Sequence, residues 1–239
     1  MKKIAPPILE ISSVCKKEKN KIIDRLSLIV TSGESVAVLY KNENNIELLC
    51  DILKGRKTPD KGKIFFKSKN NTGVKNSFGV VERKPEIPKI RSVADFAAHS
   101  IVKRGLPSRM AAVLVQKEAE AFGLTEFCDK TAYSLPKNLA LRAEVFAAYM
   151  CSHELMVIDE PFGTLDQKEK EQELQIFEQI KNSSGLSLLL FTQDINIAIR
   201  FCDSVAVVDS KTECMGIISV DRKKPEKTLL KIKEIYNSI

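Results

Sequence analysis

Five short apolar runs punctuate the chain, at 35–39 (SVAVL), 78–81 (FGVV), 155–159 (LMVID), 188–192 (LLLFT) and 204–209 (SVAVVD). Several are apolar at successive positions rather than at alternate ones, the pattern of strands covered on both faces of a parallel sheet. Between them, helical spacing predicts helices over 45–53, 108–122, 139–150, 167–180 and 195–201. Such alternation of strand and helix predicts an α/β fold. The amino-terminal part reads differently: 8–11 and 21–30 predict antiparallel strands, Gly33-Glu34 a turn, and 61–66 a turn leading into another strand. A polar loop, KSKNNTGVKNS, follows at 67–77. From 91 to 129 the chain reads as helical, punctuated by Pro88 and Pro107, and no internal repeat or low-complexity tract interrupts it.

Composition narrows the class. With 239 residues, 44% of them hydrophobic and 29% charged, the chain is of globular type and long enough to bury a sizeable core. Apolar runs such as 186–191 are strand-sized, short of the ~20 residues a membrane span needs. The start, MKKIAPPILEISS, lacks the apolar segment of a signal peptide, so neither secretion nor a transmembrane segment is expected. Cys15, Cys50, Cys128, Cys151, Cys202 and Cys214 include no C-x-x-C pair, and neither His99 nor His153 has a second ligand nearby in sequence. Free thiols in a reducing compartment are predicted, without a zinc site or disulfide framework. The net charge of +7 admits an anionic partner, but the lysines are mixed with glutamates, as in KKEKNK, which suits a solvated surface. Aromatic residues make up 6% and tryptophan is absent, so no base-stacking platform is evident and nucleic acid is not an expected partner.

One stretch carries a combination of residues beyond strand and helix: LMVIDEPFGTLD at 155–166, an apolar strand ending in Asp159-Glu160-Pro161, then a loop closing in Leu165-Asp166. It resembles the Walker B strand, catalytic glutamate and D-loop of the nucleotide-binding subunit of ATP-binding cassette (ABC) transporters. ILKGRKTPDKGKIFF at 52–66 resembles the end of that family's phosphate-loop helix and the hairpin after it. LLLFTQDINIAIRFCDSVAVVD at 188–209 resembles its switch strand, the following helix and the last core strand. The resemblance runs from Gly33 through nearly all the rest of the chain, and the form DEPFG leans toward importers of small anions such as nitrate, sulfonates or taurine. It implies a P-loop NTPase-like ABC ATPase fold: a mostly parallel core sheet, an amino-terminal antiparallel β subdomain and an inserted helical subdomain. One domain over 1–239 is expected, with the β subdomain and phosphate loop in 1–85, the helical subdomain in 86–150, and the remaining core with its carboxy-terminal helix in 151–239.

Position by position, the resemblance implies a loss of nucleotide contacts. A working phosphate loop, G-x-x-x-x-G-K-[ST], needs glycines so that backbone N–H groups converge on phosphate, a lysine for charge, and a hydroxyl for Mg²⁺. Here Tyr40 stands at the first glycine, Asn45 at the second, Ile46 at the lysine and Glu47 at the hydroxyl. Glu43 and Glu47 add negative charge at a helix start that otherwise favours anions, and Lys41 is the cation expected nearby, on the wrong side of the loop. As plain structure the segment reads as strand, turn and helix, with Glu47 set against the helix dipole. The adenine-stacking ring falls in VCKKEK, which has none; the Q-loop glutamine falls at Arg83 or Glu82; the switch histidine falls at Gln193. In the signature segment 135–139, neither glycine nor the cradle serine remains: Pro136 opens the helix, Ser134 is its expected cap, and Lys137 points toward a partner's phosphate or toward solvent. The retained pair would have Asp159 hold Mg²⁺ through water and Glu160 act as general base, while Asp166 would reach across a dimer interface with Pro136 and Lys137. Read structurally, Pro161 fixes a turn and the acids satisfy backbone N–H groups.

The function expected from this pattern is a pseudo-ATPase: a degenerate cassette subunit without a cofactor, acting as structural or regulatory partner of another ABC ATPase subunit, a membrane permease, or both. Two alternatives stay open. One is an active subunit of an asymmetric heterodimer that uses Mg-ATP. The other is a cassette-fold protein in a non-transport role. A permease would dock on the helical subdomain and Q-loop groove, 83–129, where exposed apolar residues such as Phe96 or Ile101 would support such a partner, and the chain would lie on the cytoplasmic face of the membrane.

Overall fold

Strand β1 (Pro7–Glu18) pairs with β2 (Lys21–Thr31) in an antiparallel hairpin. In β2, Leu26, Leu28 and Val30 turn inward while Ser27 and Ile29 turn outward, so one face packs on the core. The hairpin continues well past the expected 8–11 because the polar tail of β1 pairs instead of fraying: Glu18 lies opposite Lys21, and Lys16 and Lys17 both bond Asp60. A bulge at Ser12-Ser13, where Ser13 has φ of 47°, breaks the alternation that a sequence pattern detects. Strand β4 (Lys61–Phe66) adds to the other side of β1, giving the order β2-β1-β4. Gly62 permits that approach, since a Cβ there would lie 2.3 Å from the Ser13 carbonyl oxygen.

The computed structural model describes residues 5–67, 78–84, 87–103, 105–160, 162–163 and 165–239. The expected loop at 67–77, after its first residue, and the expected turn at Pro161 lie outside the described residues. Two compact units divide the chain: Met1–Ser68, Val157–Glu160 and Ser187–Ile239 form the first, and Lys69–Met156 with Pro161–Leu186 the second.

In the first unit, β3 (Ser35–Leu39) lies between β7 (Ser187–Thr192) and β8 (Ser204–Val208), parallel to both. The end of β6 (Leu155–Asp159) lies beside β7, and β9 (Cys214–Ser219) runs antiparallel to β8 at the edge, so the order is β6-β7-β3-β8-β9. β3, β6, β7 and β8 are buried along their whole length, as their unalternating apolar runs predict. β9 was not among the expected strands; it alternates, leaving Met215 and Ile217 exposed. Helices α1 (Glu43–Leu53), α6 (Ile195–Phe201) and α7 (Pro225–Ser238) complete this unit. α1 starts at 43 rather than 45 because the Asn42 side chain accepts the Asn44 N–H and caps it.

The second unit holds β5 (Gly79–Val81), α2 (Val93–Lys103), α3 (Ser108–Ala119), α4 (Lys137–Cys151) and α5 (Gln167–Ser184). Phe122 anchors its core, with ring centroids 4.8 Å from Phe146 and 5.3 Å from Tyr149. Next to these rings Arg142 clamps Glu173 through two bonds, Nη2 to Oε1 at 2.5 Å and Nε to Oε2 at 2.8 Å. α5 ends at Gly185, whose φ of 66° makes the left-handed cap that a side chain would strain. Among the described residues no helix is long and apolar enough to cross a membrane, and no three His, Cys, Asp or Glu side chains cluster for a metal.

Candidate functional site

The turn from β3 into α1 brings together nine of the residues singled out above, all in the first unit. Tyr40 leaves the end of β3 with only 1% of its surface exposed, and its hydroxyl lies 3.4 Å from Asp159 Oδ1. Asn45 is equally buried. Its Oδ1 accepts the Ile22 N–H at 2.8 Å and its Nδ2 donates to the Ser210 carbonyl at 2.8 Å, so it ties β2 to the segment after β8. Ile46 is fully buried at 0% exposure and belongs to the core. Glu43 stands in the first turn of α1, where its charge suits the helix dipole.

Glu47 is not simply set against that dipole. Its Oε2 lies 2.6 Å from Lys21 Nζ on β2, an exposed pair and therefore a weak one. Lys21 is thus a second cation beside the loop, missed because its link to Glu47 crosses two elements. Lys41 turns outward: its ammonium lies 5.2 Å from the centre of the Tyr236 ring and donates to the Ile239 carbonyl.

At the end of β6, Asp159 is buried, and Glu160 follows with φ of 40°, a left-handed conformation unusual for its type. Two bonds account for that bend: the Glu160 N–H donates to the Phe191 carbonyl at 2.9 Å, and Glu160 Oε2 accepts the Gln193 N–H at 2.8 Å. The Glu160 carboxylate therefore clasps the end of β7. Gln193 completes the ring by directing Nε2 to the Lys41 carbonyl at 3.5 Å. Tyr236 donates its hydroxyl to the Tyr40 carbonyl at 3.0 Å; burial pushes its phenol pKa up, and the Glu160 carboxylate adds to that. No local pattern announces Tyr236, which stands 196 residues from Tyr40.

The other residues lie in the second unit. Arg83 follows β5 and is half-buried. Pro136 occupies the N-cap of α4, and Lys137 is exposed in its first turn. Ser134 does not cap that helix, because its hydroxyl donates to the Thr131 carbonyl at 2.8 Å. Asp166 caps α5: Oδ1 accepts the Glu169 N–H at 2.8 Å, while Glu169 Oε2 accepts the Asp166 N–H. Neither Phe96 nor Ile101 supplies the exposed apolar residue that would support a permease partner. Val93, Ala97 and Ile101 form the inward stripe of α2 and Phe96 is half-buried, whereas Met110, Val113 and Leu114 stand exposed on α3.

No protein-family model matches the chain. It is 23% identical over 209 residues to the taurine import ATP-binding protein TauB of Pseudomonas aeruginosa, covering 87% of this chain and 80% of that one. It is 22% identical over 204 residues to the molybdate/tungstate import ATP-binding protein WtpC of Pyrococcus horikoshii, covering 84% of this chain but only 59% of that protein's length. Among solved structures it superposes on cbiO1 of Clostridium perfringens, part of the ABC transporter complex cbiONQ, with a TM-score of 0.76 at 19% identity over 96% of this chain and 95% of that one. It superposes on a nucleotide-free ATP-binding cassette from an ABC transporter with a TM-score of 0.75 at 17% identity, over 97% and 99% of the two chains. The chain therefore has the α/β fold of an ABC ATPase cassette, and its homologues are ATP-binding subunits of ABC transporters.

Proposed function

We propose that this chain is a cassette subunit that does not bind or turn over Mg-ATP, and that it serves as a structural or regulatory partner of an intact cassette subunit, a membrane permease, or both. The observation that carries the reading is the side-chain filling of the β3–α1 turn. The Tyr40 phenol rests on Asp159, the carboxylate that would hold Mg²⁺, and Ile46 is sealed in the core at the lysine position. Asn45 spends its amide on two strand-end bonds, and Glu47 sets an anion where a hydroxyl would meet the metal. These residues do not fit a polyphosphate: they supply no ammonium at the position of the loop lysine, and they add carboxylates that repel it.

Glu160, with its carboxylate on the Gln193 N–H, acts in this reading as a clasp rather than a base, and Asp166 as a helix cap. The exposed Met110, Val113 and Leu114 of α3 supply an apolar face for a protein partner. Likeness to taurine and molybdate/tungstate import proteins supports an assembly that imports small anions, with this chain on the cytoplasmic face of the membrane.

Glu160→Gln tests the reading, because this exchange traps ATP in working cassettes. Glutamine keeps an oxygen for the Gln193 N–H, so the variant is expected to stay within about 1 kcal/mol of the parent in stability. Its elution in size-exclusion chromatography is expected to be the same with and without Mg-ATP. An ATP-dependent dimer would favour an active, ATP-binding subunit instead.

A further inference from the structure

We infer that α7 is a displaceable strap whose last turn holds the Tyr40–Lys41 turn shut. This extends the functional reading and rests on it only in taking the closed turn as the resting state of the site. Both carbonyls of the turn are engaged: Tyr40 by the Tyr236 hydroxyl at 3.0 Å, Lys41 by Gln193 Nε2 at 3.5 Å. The Lys41 side chain closes the contact from the other side, with its ammonium over the Tyr236 ring and donating to the Ile239 carbonyl. Two of the four contacts come from Tyr236 on α7 and a third from Ile239 just past its end.

The helix itself is lightly seated. Its buried residues are Thr228 and Ile232, Leu230 is exposed, and its start has no side-chain cap. Thr228 is fixed by the Asp221 N–H at 3.2 Å, and Ile235 lies over Gly216, where a Cβ would sit 3.3 Å from Ile235 Cδ1. The Thr228 bond and the buried Ile232 anchor the first and middle turns, and the last turn rests on Gly216 of β9 through Ile235 and on the Tyr40–Lys41 turn through Tyr236. Releasing that end exposes the Tyr40 carbonyl without disturbing β3 or β8, whose bonds lie within the sheet. A protein partner that captures the end of α7 would thereby loosen the turn, so the strap offers a route by which binding outside the site reaches it.

Hydrogen–deuterium exchange on the full chain tests this with Tyr236→Phe, which removes one hydroxyl and keeps the ring. Loss of one net hydrogen bond is expected to raise exchange at amides 41–44 about fivefold, with peptides from β3 and β8 unchanged. Lys41→Ala is expected to give the same local rise. Unchanged exchange at 41–44 in both variants overturns the strap, and so does a rise spread equally over β3 and β8, which would make the hydroxyl a support of the whole unit. Mg-ATP binding by the unmodified chain would overturn the functional reading while leaving these exchange results as the measure of the strap.

Discussion

Ile46→Lys restores the residue type of a working phosphate loop, yet it is expected to lower stability by about 3 kcal/mol and to bring no nucleotide binding. Ile46 is fully enclosed, with Asn45 beside it bonded to Ile22 and Ser210. The exchange removes a buried aliphatic side chain and puts an ammonium in its place; lysine escapes part of that cost by reaching for the surface. For a chain of this size the melting temperature is expected to fall by about 6 to 12 °C. Circular dichroism melts with and without Mg-ATP measure both halves. A variant as stable as the parent, or one stabilised by ATP, would mean that position 46 still opens onto a phosphate site.

The second large effect lies in the second unit and concerns its integrity alone. Glu173 is buried and receives Arg142 through two nitrogens, with Asn138 Nδ2 a further donor at 3.3 Å. Glu173→Ala leaves the guanidinium without its carboxylate and is expected to cost about 3 kcal/mol, whereas Arg142→Met with Glu173→Leu is expected to recover most of it. The recovery is what distinguishes an uncompensated buried charge from a simple packing defect. Urea denaturation of the two variants beside the parent reads the difference directly. If the double variant is as unstable as the single one, the pair supports the unit by packing rather than by charge balance.

Much of this architecture was legible in the amino-acid pattern because it rests on burial. β3, β6 and α6 fall where the apolar runs put them, since parallel strands enclosed on both faces leave little room for another reading. The polar half of β1 and the edge strand β9 were hidden. The first is held by pairing and lysine–aspartate contacts, and the second alternates with two apolar residues facing outward. Two features were present in the sequence but obscured by the family resemblance. Asp166 and Glu169 have the spacing of a capping box, and Val93, Ala97 and Ile101 recur every fourth residue, which turns Ile101 inward. In the candidate site, the substituted positions 40, 45, 46 and 47 were readable from motif register. That Tyr40 reaches Asp159, Lys21 reaches Glu47 and Tyr236 reaches Tyr40 depends on contacts between distant segments, which no local spacing encodes.

The central claim is that the β3–α1 turn is closed to nucleotide, and a thermal-shift titration of the unmodified chain with Mg-ATP meets it most directly. A ligand present at 100 times its Kd would add about 2.7 kcal/mol to the folded state, or about 5 to 10 °C in a chain of this length. The account predicts no saturable shift up to millimolar Mg-ATP. A saturable rise in melting temperature would contradict it and return Asp159 and Glu160 to the roles of metal holder and general base.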